Sequence, residues 1–301
     1  MIPLFDCHCD SISRVMTKGG SLRKNGFHTD LERLHKFAPC AQVFAVCAET
    51  LDRPVEKADA MLRRLSQEIE ENSDIVMLCL NFHDIKKAAE SGKVAVFISI
   101  EGCEQISSLE SAYQNGVRIL HPTWNFDNEL CGAAAGSGKG LTKKGRAFVK
   151  KAQHMGFALD MSHISERGFW DTLEACEKPV IAGHSNAKAL CNVPRNLTDE
   201  QFNTLVDVGG GAGINLYPEF LGLGKDINAV IAHIEHFLSL GGERSVFLGC
   251  DFDGIDSTPT GLDGVQKLDK LYNELLNRNY PEALVRALFW DNLYDIMEKM
   301  L

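Results

Sequence analysis

Short, almost unbroken apolar runs alternate along the chain with longer segments whose apolar residues recur every three to four positions. The runs fall at residues 2–7, 41–48, 94–100, 116–121, 158–161, 180–183, 213–216 and 246–249. They lack an in–out alternation, which is the pattern of strands covered on both faces of a parallel sheet. Segments 55–71, 143–154, 166–175, 199–208, 227–240 and 265–277 carry the helical period. Strand–helix repetition of this kind predicts βαβ units. Thr198 with Gln201 reads as a capping box, Ser165 before Glu166 as a second N-cap, and Gly241-Gly242 as a helix stop. Residues 132–140 (GAAAGSGKG) form the most loop-like stretch, but their spacing is not that of a phosphate-binding loop. Gly209-Gly210-Gly211 opens a strand and not a helix, so it is a poor dinucleotide fingerprint.

The polar residues that end the apolar runs change the picture. Asp6-Cys7-His8-Cys9-Asp10 closes the first run, and His8 and Asp10, two apart, share a side of an extended strand. Glu101, His121, His163, His184 and Asp251 each follow a later run. One such residue is ordinarily a satisfied polar group at a strand end. Six strands sharing the pattern would bury six polar groups that need partners. Strand C-termini of a parallel α/β protein lie on one face, and in a barrel they converge. The pattern therefore predicts one site holding His8, Asp10, Glu101, His121, His163, His184 and Asp251. The donors exceed what one four-coordinate zinc needs, so two ions sharing a carboxylate fit better. His28, His35, His83, His154, His233 and His236 sit among charged residues and read as solvated or half-buried surface histidines. Trp170 and Trp290 read as core, and Trp124 as a weaker candidate for lining the site.

Length and charge then bound the answer. The 301 residues leave one large barrel or two ordinary domains open. A net charge of −10 argues against nucleic acid and anionic membranes as partners. No run approaches the length of a membrane span, and the N-terminus lacks the pattern of a signal peptide, so a cytoplasmic protein is expected. The ten cysteines contain no Cys-x-x-Cys pair and are expected to be free thiols.

Seven short stretches, in order from residue 6 to residue 254, resemble the membrane dipeptidase (renal dipeptidase) family of metallopeptidases, within the amidohydrolase superfamily. They are Asp6-Cys7-His8-Cys9-Asp10, Ser99-Ile100-Glu101-Gly102, Leu120-His121-Pro122-Thr123-Trp124-Asn125, Asp160-Met161-Ser162-His163, Gly183-His184-Ser185-Asn186-Ala187, Pro194-Arg195-Asn196 and Gly249-Cys250-Asp251-Phe252-Asp253-Gly254. The resemblance implies a (β/α)8 TIM-type barrel over residues 1–301 as a single metal-dependent hydrolase domain. It implies two zinc ions: His8 and Asp10 on one, His163 and His184 on the other, and Glu101 bridging. It further implies that His121 polarises the scissile carbonyl, that Arg195 grips the substrate carboxylate, and that Asp251 manages protons, with Tyr217 lining the substrate pocket. The expected reaction is hydrolysis of dipeptides, L-Xaa-D-Xaa included, by a metal-bridging hydroxide. A related amidohydrolase acting on N-acyl amino acids or lactones is the alternative, and a non-catalytic ligand-binding barrel a remote one. A homodimer is compatible with the sequence. Two departures stand out. The C-terminal Asp291-Asn292-Leu293-Tyr294 matches the family's closing helix only loosely, and cysteines flank His8. Cys7 and Cys9 are expected to pack into the barrel wall, away from the ligands.

Overall fold

The structure, a computed structural model, describes residues 1–222 and 224–301. Among them nine strands form: β1 (Leu4–Cys9), β2 (Cys40–Val46), β3 (Val76–Leu78), β4 (Val94–Glu101), β5 (Val117–His121), β6 (Ala158–Leu159), β7 (Ile181–Ala182), β8 (Gly211–Ile214) and β9 (Val246–Leu248). All pairings are parallel and run β6-β5-β4-β2-β1-β9-β8-β7, and a parallel bridge between Asp160 and Ile181 joins the two ends. The result is a TIM-type α/β barrel of eight staves. Those staves are the eight apolar runs of the sequence. The ninth strand, β3, was not expected. It pairs with Val94, Ala95 and Val96 of β4 on the edge that β5 takes over from Ile98, so it extends the sheet at one end of the barrel without adding a stave.

Alternate strand positions feed two hydrophobic layers, as the two-residue period of a strand requires. Phe5, Val43, Phe97, Ile119, Ile181 and Phe247 meet inside the barrel. Leu4, Phe44, Val96, Ile98 and Leu120 face outward to the helices. One end of the barrel is shut by the C-terminal helix Asn292–Met300, whose Leu293, Ile296, Met297 and Met300 join the inner layer. Trp290 packs on Phe5 with ring centroids 5.6 Å apart, and Asn292 donates to the carbonyls of Glu243 and Val246. The loose match at Asp291-Asn292-Leu293-Tyr294 therefore does not leave this end open.

The helix punctuation reads as expected. Thr198 and Gln201 form the reciprocal capping box, Ser165 accepts from the Gly168 N–H, and the helix Ile227–Ser239 stops before Gly241, at φ 86°. The strand expected at 213–216 sits instead at Gly211–Ile214. Glycine carries no hydropathy signal, yet Gly211 is obligatory there, because a Cβ would lie 2.0 Å from the Ser245 carbonyl oxygen. All ten cysteines are unpaired, and eight are buried. Cys9 packs in the outer layer as expected, but Cys7 points into the inner one. An irregular register between Asp6 and Cys9 breaks the strict alternation that the expectation assumed.

Candidate active site

Six of the eight staves deliver polar residues to the open end of the barrel. His8 and Asp10 come from the end of β1, Glu101 from β4, His121 from β5, Asp160 and His163 from the segment after β6, His184 from after β7, and Asp251 from after β9. Glu101 Oε1 lies 2.8 Å from His163 Nε2, 3.2 Å from His184 Nε2 and 3.6 Å from His8 Nε2. His8 Nε2 is also 3.2 Å from Asp10 Oδ2 and 3.9 Å from Asp251 Oδ1. The Nε2 atoms of His163 and His184 are 3.0 Å apart. His163 and Asp251 hold left-handed backbones, at φ 69° and 60°. Such conformations cost a non-glycine residue roughly 1–2 kcal/mol and concentrate at functional sites.

The electrostatics are those of a cation site. Burial alone would lower the pKa of His8, yet Glu101, Asp10 and Asp251 raise it to about 10. The same burial raises Asp251 to about 7 and Asp10 to about 6, each partly offset by His8. Glu101 is held well below the usual range: burial opposes ionisation, and His8 and His163 outweigh it. His163 and His184 are lowered first by burial, then by Arg195 for His163 and by His8 for His184, and His163 reaches about 4. So two neutral imidazoles and one ionised carboxylate aim lone pairs at a common point, where carboxylates demand positive charge. Asp10 Oδ1 and Glu101 Oε1 are buried without a hydrogen-bond donor. His163 Nδ1–H donates to Asn125 Oδ1 at 2.9 Å, which leaves the Nε2 lone pair free for a cation. Nitrogen and carboxylate donors of this kind suit zinc or a similar divalent ion, and their number suits two. His8, Glu101 and His184 form one compact triad of candidate ligands, and His8, Asp10 and Asp251 another.

A cavity of about 160 Å³ opens over the cluster, lined by Asp10, Glu101, His163, Arg195, Tyr217 and Asp251 among others. Arg195 is buried. Its guanidinium donates to Ser185 Oγ and the His184 carbonyl at 3.3 and 3.4 Å and stands over the Phe220 ring, while its Nε has no partner. Among the described residues no carboxylate pairs with it, which suits an anionic ligand. His121 is buried, and burial lowers its pKa, so its imidazole is neutral. Every site residue expected from the sequence is thus in one place. Trp124, the weaker candidate, does line the cavity.

Sequence reasoning missed the groups behind these side chains. Asp160 Oδ2 faces His121 Nε2 at 3.6 Å, and Asn215 donates to Asp251 at 2.8 Å. Asp160 and Asn125 lay within the motifs, but their partners are remote in sequence. Asp253 accepts from Ser11 and from the His28 and Thr29 N–H groups, which ties loops together around the site. His233, expected at the surface, is fully buried. Its Nδ1 accepts from the Ala187 N–H, and its Nε2 lies 3.2 Å from the Leu221 carbonyl oxygen.

The sequence profile of the membrane dipeptidase family (peptidase family M19) matches residues 1–300. The chain belongs to that family. It is a hydrolase of the metallodipeptidase type, and the family implies dependence on metal. An uncharacterized protein of the pqqA 5′ region in Klebsiella pneumoniae is 33% identical over 264 residues, covering 82% of this chain and 97% of that one. A metallopeptidase from Rhodobacter sphaeroides, crystallised with a phosphinate mimic of the dipeptide L-Ala-D-Ala, superposes with a TM-score of 0.90 at 26% identity, covering 100% of this chain and 99% of that one. A second crystal structure, of a family M19 dipeptidase, gives 0.91 at 26% identity over 99% of both chains. Among the described residues no helix is long and apolar enough to cross a membrane.

Proposed function

We propose that this member of the membrane dipeptidase family is a dinuclear zinc dipeptidase, with L-Xaa-D-Xaa dipeptides among its substrates. The observation that carries the reading is the convergence of His8, Asp10, Glu101, His163 and His184 beside a buried, unpaired Arg195 and a carboxylate, Asp251, in one cavity. The relative crystallised with an L-Ala-D-Ala mimic supports the substrate class. His8 and Asp10 would hold one ion, His163 and His184 the other, with Glu101 shared. Bound there, two divalent ions supply an activated water at neutral pH and Lewis acidity toward a carbonyl.

The chain's own groups do the rest. Arg195 binds the C-terminal carboxylate with two parallel N–H donors and sets the register of the peptide. His121, neutral, offers its single N–H to the oxygen that becomes negative as the carbonyl is attacked. Asp251, held by Asn215, takes the water proton and delivers it to the leaving amine. Residues 1–301 act as one domain on this reading. The ten unpaired cysteines favour a reducing, cytoplasmic setting.

The test combines metal analysis of the purified protein with a panel of L-L, L-D and D-D dipeptides. About two zinc ions per chain and turnover of L-L or L-D dipeptides are expected. Cleavage of N-acyl amino acids or lactones with no dipeptide cleaved would overturn the substrate assignment, and one ion at full activity would overturn the dinuclear one.

A further inference from the structure

The catalytic cavity is not closed on the side away from Arg195. It runs into a second cavity of about 540 Å³, and the two share a rim that includes Cys47, Glu49, Trp124 and Asp256. Nothing in the catalytic roles uses this space. Its far walls come from two helices, Ser11–Lys18 and Pro54–Glu71, which present Met16, Ala60 and Met61 beside the cations Arg14 and Lys57.

Topology fixes the direction. On the ring of staves, β7 lies four places from β2, which is diametrically opposite. Arg195 follows β7 and Glu49 follows β2, with the Glu101 cluster between them. A dipeptide is only about 7 Å long at 3.3–3.6 Å per residue. With its carboxylate on Arg195 and its scissile carbonyl over the cluster, its first residue must lie toward β2, at the shared rim.

Glu49 stands on the shared rim of the two cavities. It holds a left-handed backbone, φ 53°, and is exposed. Arg14, which lines the same cavity, is turned instead to the Asp253 and Ile255 carbonyls and to Asp256. Among the described residues no cation pairs with Glu49.

We infer that the second cavity is the subsite for the N-terminal side chain of the substrate, which it accepts when large and apolar, and that Glu49 at its rim pairs with the substrate's free ammonium group. This rests on the dipeptidase reading and adds what that reading leaves open, the preferred first residue.

The experiment holds the C-terminal residue fixed and varies the first: Gly-Ala, Leu-Ala, Met-Ala and Phe-Ala, plus N-acetyl-Leu-Ala. In the zinc-loaded native protein kcat/KM should rise from Gly-Ala to Leu-Ala and Met-Ala by roughly tenfold or more, the scale of filling an apolar pocket. Acetylation should cost at least as much. Ala60→Trp, which fills the cavity, should pull the Leu-Ala to Gly-Ala ratio toward one. Glu49→Gln should raise KM for free dipeptides more than it lowers kcat, and narrow the gap to the acetylated peptide. Equal kcat/KM across first residues in the native protein overturns the side-chain subsite, whatever the variants do. An acetylated peptide cleaved as well as the free one overturns the role of Glu49. Failure to cleave any member of the panel would strike the dipeptidase reading itself and not the subsite alone.

Discussion

Asp251 shows how much a single residue at this site depends on its neighbours. Its carboxylate is oriented by Asn215 at 2.8 Å and lines the cavity beside the ligand cluster, within reach of a water or an amine held there. Asp251→Asn keeps the shape and removes the base. Turnover should fall about 10²- to 10⁴-fold, with zinc per chain unchanged by elemental analysis. Loss of one ion along with activity would make Asp251 a ligand instead. Arg195 is the complementary case. Arg195→Ala should raise KM for dipeptides on the order of a hundredfold, as loss of a buried charge-assisted pair does. The measurement is a comparison with an uncharged dipeptide amide, which should be much less affected. The histidines and carboxylates were legible because each ends an apolar run. Asp160, Asn215 and Asn125 were not, because a residue that acts by touching another has no signature until the two are in contact.

At the scale of elements, the loop after β7 carries both His184 and Arg195, and its seat is His233 on the helix Ile227–Ser239. Burial holds the His233 pKa at about 4, below its ordinary 6.5. The unfolded chain therefore binds this proton between pH 6.5 and pH 4 while the native chain does not, and stability falls as pH drops through that window. The full cost is roughly 3 kcal/mol. In the zinc-free protein, chemical denaturation at pH 7 and pH 4.5 should show a smaller loss in His233→Gln than in the native chain. Equal losses would remove His233 as the cause. A histidine on a helix among charged residues gave no hint of this, since its burial comes from a loop more than forty residues away. The β8 boundary was misplaced for a related reason. Gly211 and Gly213 are fixed by close backbone approach, with a Cβ at Gly213 meeting the Gly183 carbonyl at 1.9 Å, and hydropathy does not register an absent side chain.

At the scale of the molecule, the site gathers Asp10, Glu101 and Asp251 in a buried space, and their mutual repulsion is carried by the fold until cations arrive. Removing the metal should therefore lower Tm, by the linkage of binding to folding. At a free zinc concentration 1,000 times Kd the native state gains about 4 kcal/mol, which calorimetry with and without chelator would read as a shift of several degrees. One transition in both scans is expected, because the inner layer and the C-terminal helix close the barrel as one body. By itself the sequence determined eight parallel-type strands in βαβ order and the candidate residues that end six of them, because two-sided burial makes unbroken apolar runs and a chemical group at a run's end stays visible in one dimension, while the closed barrel came from the family resemblance. Only the tertiary structure decided which of these groups touch, that Cys7 keeps the inward phase of Phe5 while Cys9 leaves it across an irregular register, that β3 shares an edge with β5, and that a second cavity opens opposite Arg195. Those depend on distances between segments far apart in the chain, and such distances exist only once the ring of strands has closed.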